Sequence, residues 1–205
     1  MIKPLNMQFE KGHLYHIYNQ GNNKQKVFFE RENYLFFLKK LKIHILPYAD
    51  ILAWCLMPNH FHLMVYVNHV EIAESGSATP SRAPTFNSLN KSIGIMLASY
   101  TRAINKQKNR SGALFRPKTK AECLDCFKGI TPSFYNRDGI THINISDPEK
   151  DYPQVCFDYI HANPTKANLV DKDESWEFSS AQDFAGLRNG TLVNKIKAKK
   201  ILEMS

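Results

Sequence analysis

Residues 51–67 constrain this chain more than any other stretch. Residues 51–57 are an unbroken apolar run. It is far too short to span a bilayer and has the length of a buried strand. Pro58-Asn59 is a turn, and residues 60–67 alternate as the returning strand of a hairpin. A hairpin this tight commits the chain to antiparallel pairing.

The flanking segments supply the rest of an α+β domain. Residues 13–19 are aromatic and β-branched and close at Gln20-Gly21-Asn22, which predicts a strand ending in a turn. Tyr34, Leu35, Phe37, Leu38, Leu41 and Ile45 fall at helical spacing, with Pro47 closing the segment. Leu89, Ile93, Met96, Leu97, Tyr100 and Ile104 form a second helical stripe behind Ser88 as N-cap. A short strand over 120–124 and an irregular hairpin over 131–145 follow. The last long element is a helix over 152–163, with Asp151 as its cap, Pro153 in its first turn and Pro164 past its end. The order β-α-β-β-α-β predicts a ferredoxin-like antiparallel sheet with helices packed on one face. Residues 1–187 read as one domain, with 68–87 a flexible insert, and 188–205 as a basic tail or helix.

Charge points to the partner. Lys and Arg number 27 against 19 Asp and Glu, a net +8. No acid occurs over 75–121, which carries Lys91, Arg102, Lys106, Arg110, Arg116, Lys118 and Lys120 among its cations. So long an acid-free run points to a polyanion, most often nucleic acid. No segment reads as a membrane span or an N-terminal signal, so the expected location is the cytoplasm and no membrane partner is expected. Of four cysteines, Cys123 and Cys126 make a C-x-x-C pair with no second ligand pair nearby in sequence. Free thiols are the expected state, with metal and redox roles as the minority readings.

His60 and His62 lie two apart on the returning strand and project from one face, where two neutral imidazoles suit a divalent metal. Tyr159 and Asn163 are one helical turn apart. Asn163 offers a carbonyl oxygen to a metal and Tyr159 a phenolic oxygen. An unperturbed phenol titrates near pH ~10, so its attack needs a polarised target.

Met57-Pro58-Asn59-His60-Phe61-His62-Leu63 resembles the His-hydrophobe-His motif of single-tyrosine transposases. Tyr159-Ile160-His161-Ala162-Asn163-Pro164-Thr165-Lys166-Ala167 resembles the tyrosine helix of their REP-associated branch. The stretches Gly112-Ala113-Leu114-Phe115-Arg116-Pro117-Lys118 and Trp176-Glu177-Phe178-Ser179-Ser180 are similar to two further stretches of that family, in the same order. The resemblance implies cleavage and rejoining of single-stranded hairpin DNA through a 5′-phosphotyrosine. It also implies Mg²⁺ or Mn²⁺ on His60, His62 and Asn163, where Gln is often found in the wider family, and admits a homodimer. Arg116, Lys118, Lys120 and the basic helix face would follow the DNA backbone. Phe115 is read as core or as a stacking platform, and His16 and His161 as packing or solvent-exposed residues, with an accessory role as the minority reading. Two other functions fit the same residues: a hairpin DNA or RNA binder with little catalysis, and a replication-type nicking enzyme.

Overall fold

A computed structural model describes residues 9–73, 86–126, 134–137, 140–143 and 148–204. Its first half comprises β1 (Leu14–Gln20), α1 (Arg31–His44), β2 (Ala49–Met57), β3 (His60–Val67), β4 (Glu71–Ala73) and β5 (Phe86–Ser88). Then come α2 (Leu89–Gln107), β6 (Lys120–Cys123), β7 (Phe134–Arg137) and β8 (Ile140–Ile143). Four helices complete it: α3 (Pro148–His161), α4 (Asn163–Lys166), α5 (Ala181–Phe184) and α6 (Lys195–Ile201).

The central sheet runs β2-β3-β1-β6 with every neighbouring pair antiparallel. This is the α+β class and the antiparallel sheet that the residue pattern predicts. Side-chain alternation gives the sheet two different faces. Tyr15 and Ile17 of β1 and Phe61, Leu63 and Val65 of β3 point to one face. There they join Tyr34, Phe37 and Leu41 of α1 and Ile93, Met96 and Tyr100 of α2 in the main core. Leu14 and Met64 point the other way and pack on Cys156, Phe157 and Ile160 of α3. So α1 and α2 share one face, as expected of the helices, while the tyrosine helix covers the opposite one.

Local signals explain most element ends. Ser88 accepts from Lys91 N at 3.2 Å and caps α2. At the start of α1 the side chains of Glu30 and Asn33 each accept from the other's end of the first turn, a reciprocal capping box. Gly21 ends β1 where a Cβ would sit 2.1 Å from the Gln25 carbonyl oxygen, so no side chain fits there.

Three local expectations change, and the two readings of Phe115 resolve to one. The tyrosine helix opens at Pro148 rather than behind Asp151, because proline suits a first helical position, where its missing N–H is not needed. The ends of the 68–87 segment, expected as loop, pair as β4 and β5; residues 74–85 lie outside the described residues. Phe115 is core, with its ring against Phe61, Phe37 and Tyr100, so it offers no stacking platform. Cys123 and Cys126 are not free thiols but a disulfide, with Cα atoms 5.6 Å apart across the turn that ends β6. Cys55 and Cys156 are free and buried. The expected 131–145 hairpin is present as β7 and β8, and its turn residues 138–139 lie outside the described residues.

Candidate active site

The hairpin turn places His60 and His62 on the α3 face of β3. His62 stands opposite Tyr18 of β1 and opposite Cys55 of β2. Facing them is Tyr159, whose ring meets the His62 ring edge-on at 5.3 Å between centroids. Tyr159 is 39% exposed. His60, His62 and Tyr159 line one open cleft with Tyr18, Arg116, Lys118 and Lys120.

Each histidine is oriented by a partner on its Nδ1. His60 Nδ1 donates to Asn59 Oδ1 at 2.6 Å, and His62 Nδ1 lies 2.8 Å from His16 Nε2. The Asn59 oxygen can only accept, so it fixes the His60 tautomer and leaves His60 Nε2 with its lone pair. Asn163 Nδ2 donates to the Tyr159 carbonyl at 2.7 Å, which turns its Oδ1 toward His60 Nε2 at 3.5 Å. With His60 protonated on Nδ1, two acceptors face each other across that gap with no proton between them. A cation between them removes the conflict, so this donor set fits a divalent metal. α3 itself ends at His161. The side-chain bond to the Tyr159 carbonyl is what keeps Asn163 on the tyrosine's side beyond that end.

Burial sets the protonation. It lowers His16 to about 4, and it lowers His60, where the Asn163 contact opposes it. It takes His62 to about 2, with the neighbouring His16 and His60 adding to the effect. All three are neutral at pH 7, the state a metal requires. Burial also raises the Tyr159 phenol, and the Asn163 amide opposes that rise. Tyr18, the other tyrosine among the described residues that line the cleft, is raised much further by burial and by its 2.6 Å bond to Glu122. Of the two hydroxyls, that of Tyr159 is therefore the better placed to attack.

The same burial predicts acid instability. His16 and His161 are both buried, and burial lowers each to about 4, below the ~6.5 of an unfolded histidine. The unfolded chain then binds more protons, so their contribution is complete above pH ~6.5 and is lost as pH falls toward about 4. Unfolding free energy, read from urea titrations, is expected to drop by about 2 kcal/mol per histidine between pH 7 and pH 5. A level profile across that range would contradict the assignment.

The sequence candidates divide. Arg116, Lys118 and Lys120 reach the cleft, because Arg116 N donates to the Gln20 carbonyl and Asn19 Nδ2 donates to the Arg116 carbonyl. Lys91, Arg102 and Lys106 are exposed on α2, which packs on the other face of the sheet, and none of them lines the cleft. Arg110 bonds Gln25 and sits over the Phe29 ring. Sequence reasoning passed over Asn59, which holds His60, and Lys166, whose Nζ lies 5.3 Å from the Tyr159 ring centre. For His16 the residue order leaves packing, solvent exposure and an accessory role open, although the His16-x-Tyr18 spacing on β1 mirrors His60-x-His62 and is the available signal.

The sequence matches no family model and no curated protein. Among solved structures, the chain is similar to a REP-associated tyrosine transposase bound to a REP hairpin. Identity is 16%, 90% of this chain and 86% of that chain are covered, and the TM-score is 0.54. At that identity the likeness is one of fold: this chain has the architecture of the REP-associated tyrosine transposase.

Proposed function

We propose that this chain is a metal-dependent, single-tyrosine nuclease and strand transferase acting on single-stranded hairpin DNA. One observation carries the reading. His60, His62 and Tyr159, from elements about a hundred residues apart, line one cleft rimmed by Arg116, Lys118 and Lys120, and Asn163 Oδ1 lies 3.5 Å from His60 Nε2. The shared fold with a transposase bound to a REP hairpin supports the same class of substrate.

The three cations hold the phosphate backbone of the strand. Mg²⁺ or Mn²⁺ on His60, His62 and Asn163 would polarise the scissile phosphate and stabilise its growing charge. Tyr159 Oη attacks phosphorus in line: the new P–Oη bond forms as the P–O3′ bond breaks. The phenolic proton passes to solvent, and the departing 3′-oxygen takes one up. The phosphodiester linkage is conserved in the 5′-phosphotyrosine, so a later 3′-hydroxyl can reverse the exchange and reseal a strand.

The test is a denaturing gel of the purified chain with labelled hairpin DNA and Mn²⁺. A covalent adduct that EDTA prevents is the expected result. Tight binding without any adduct across a broad set of hairpins would favour a binding protein instead.

His16 is proposed as a positioning residue that acts through His62. His16→Leu keeps the packing but leaves His62 Nδ1 without its 2.8 Å partner. The Mn²⁺ concentration for half-maximal adduct formation is expected to rise ~10–100-fold. Saturating Mn²⁺ should restore most of the rate. An unchanged Mn²⁺ requirement would show that His16 only packs.

A further inference from the structure

A second group of metal-binding side chains lies away from the cleft, where β1 begins and β6 ends. His13 precedes β1, Cys123 closes β6, and Asp125 and Cys126 follow directly. One ligand atom from each lies within 4.8 Å of all the others. The backbone brings them together: Tyr15 pairs with Cys123, and Leu124 N donates to the Leu14 carbonyl at 2.9 Å. Asp125 Oδ1 accepts from Leu14 N at 2.9 Å and lies 3.2 Å from His13 Nδ1 and 3.4 Å from Cys123 Sγ.

We propose that His13, Cys123, Asp125 and Cys126 form a structural zinc site that fills when the two thiols are reduced. Two sulfurs, one imidazole nitrogen and one carboxylate oxygen are ligands zinc accepts, and four protein ligands are the number a closed structural site takes. Thiolates select against Mg²⁺ and Mn²⁺, so the site is distinct in its metal from the histidine cleft. Cys123-x-x-Cys126 has the ligand spacing of zinc turns, and the fold supplies the two further ligands that sequence spacing does not reveal. The disulfide and the zinc site are alternative states of the same sulfurs. Two small-molecule thiols open the disulfide by exchange, becoming a disulfide themselves and leaving two cysteine thiols. Zinc then binds with release of the two thiol protons to solvent. In the zinc state the start of β1 is clamped to the chain that leaves β6.

The test uses the full chain, reduced with a phosphine and titrated with Co²⁺ under anaerobic conditions. The expected result is a thiolate-to-cobalt charge-transfer band with intense tetrahedral visible bands, both bleached by stoichiometric Zn²⁺. A His60→Ala/His62→Ala variant should keep these bands, since the cleft holds no thiolate. A Cys123→Ser/Cys126→Ser variant should lose them. Wild-type protein with only weak octahedral cobalt bands would overturn the proposal. So would a Cys123→Ser/Cys126→Ser variant that holds zinc as tightly as wild type.

Discussion

Tyr159→Phe is expected to abolish the covalent protein–DNA adduct and to lower strand cleavage by on the order of 10⁴-fold or more, as loss of a covalent nucleophile does. Only the hydroxyl is removed. The ring keeps its edge contact with His62, and the residue is already 39% exposed, so folding should be unaffected. Hairpin binding should stay within a few-fold, because Arg116, Lys118 and Lys120 remain in place. Tyr18→Phe is the control within the same cleft. Its hydroxyl is engaged by Glu122 and burial holds it protonated, so that variant should still form adduct. Adduct formed by Tyr159→Phe and lost in Tyr18→Phe would move the nucleophile to β1 and overturn the chemistry proposed for α3.

The largest stability effect is expected at Arg188. Its guanidinium holds Asp183 through Nε at 3.0 Å and Nη2 at 2.7 Å. It also donates to the backbone carbonyls of Glu177 and Ser179 and lies 5.2 Å over the Trp54 ring. Asp183 is only 2% exposed, so Arg188→Ala leaves a buried carboxylate with Gly190 N at 2.8 Å as its remaining donor. Breaking such a pair from one side costs about 3–5 kcal/mol. The surviving Gly190 bond argues for the lower end, which lowers the melting temperature by roughly 6–12 °C in a chain of this size. Asp183→Ala/Arg188→Ala should recover part of that loss, since it removes the stranded charge as well. A melting temperature within a degree or two of wild type in Arg188→Ala would mean the pair is not buried in solution. The effect also bears on the cleft. The Arg188-braced segment pairs with β2 through Leu56 N to Phe178 O and Ser180 N to Trp54 O, and Ser180 Oγ meets His161 of α3 at 2.7 Å.

Elements with strong local periodicity are legible in the order of residues alone. The β2–β3 hairpin around Pro58-Asn59, the α1 and α2 stripes and the Ser88 cap all rest on interactions within a few residues, which spacing reports directly. The candidate chemistry is legible in the same way, because His60 and His62 share a face by the two-residue period of a strand. Contacts set by the third dimension are not. Nothing in the spacing says that His16 of β1 meets His62 of β3, since that contact depends on the β1–β3 register. Nor does it say that α2 carries Lys91, Arg102 and Lys106 on the face away from the cleft, because an apolar stripe turns a helix toward a core without choosing the side of the sheet. The Asn163 side chain reaches His60 only because it bonds the Tyr159 carbonyl past the end of α3. His13 and Asp125 join the Cys123-x-x-Cys126 pair only because β1 and β6 are neighbours. Residue identity and local spacing establish which side chains could do chemistry and which elements carry them. Strand register and helix placement, fixed by packing across the whole sheet, decide which of them meet.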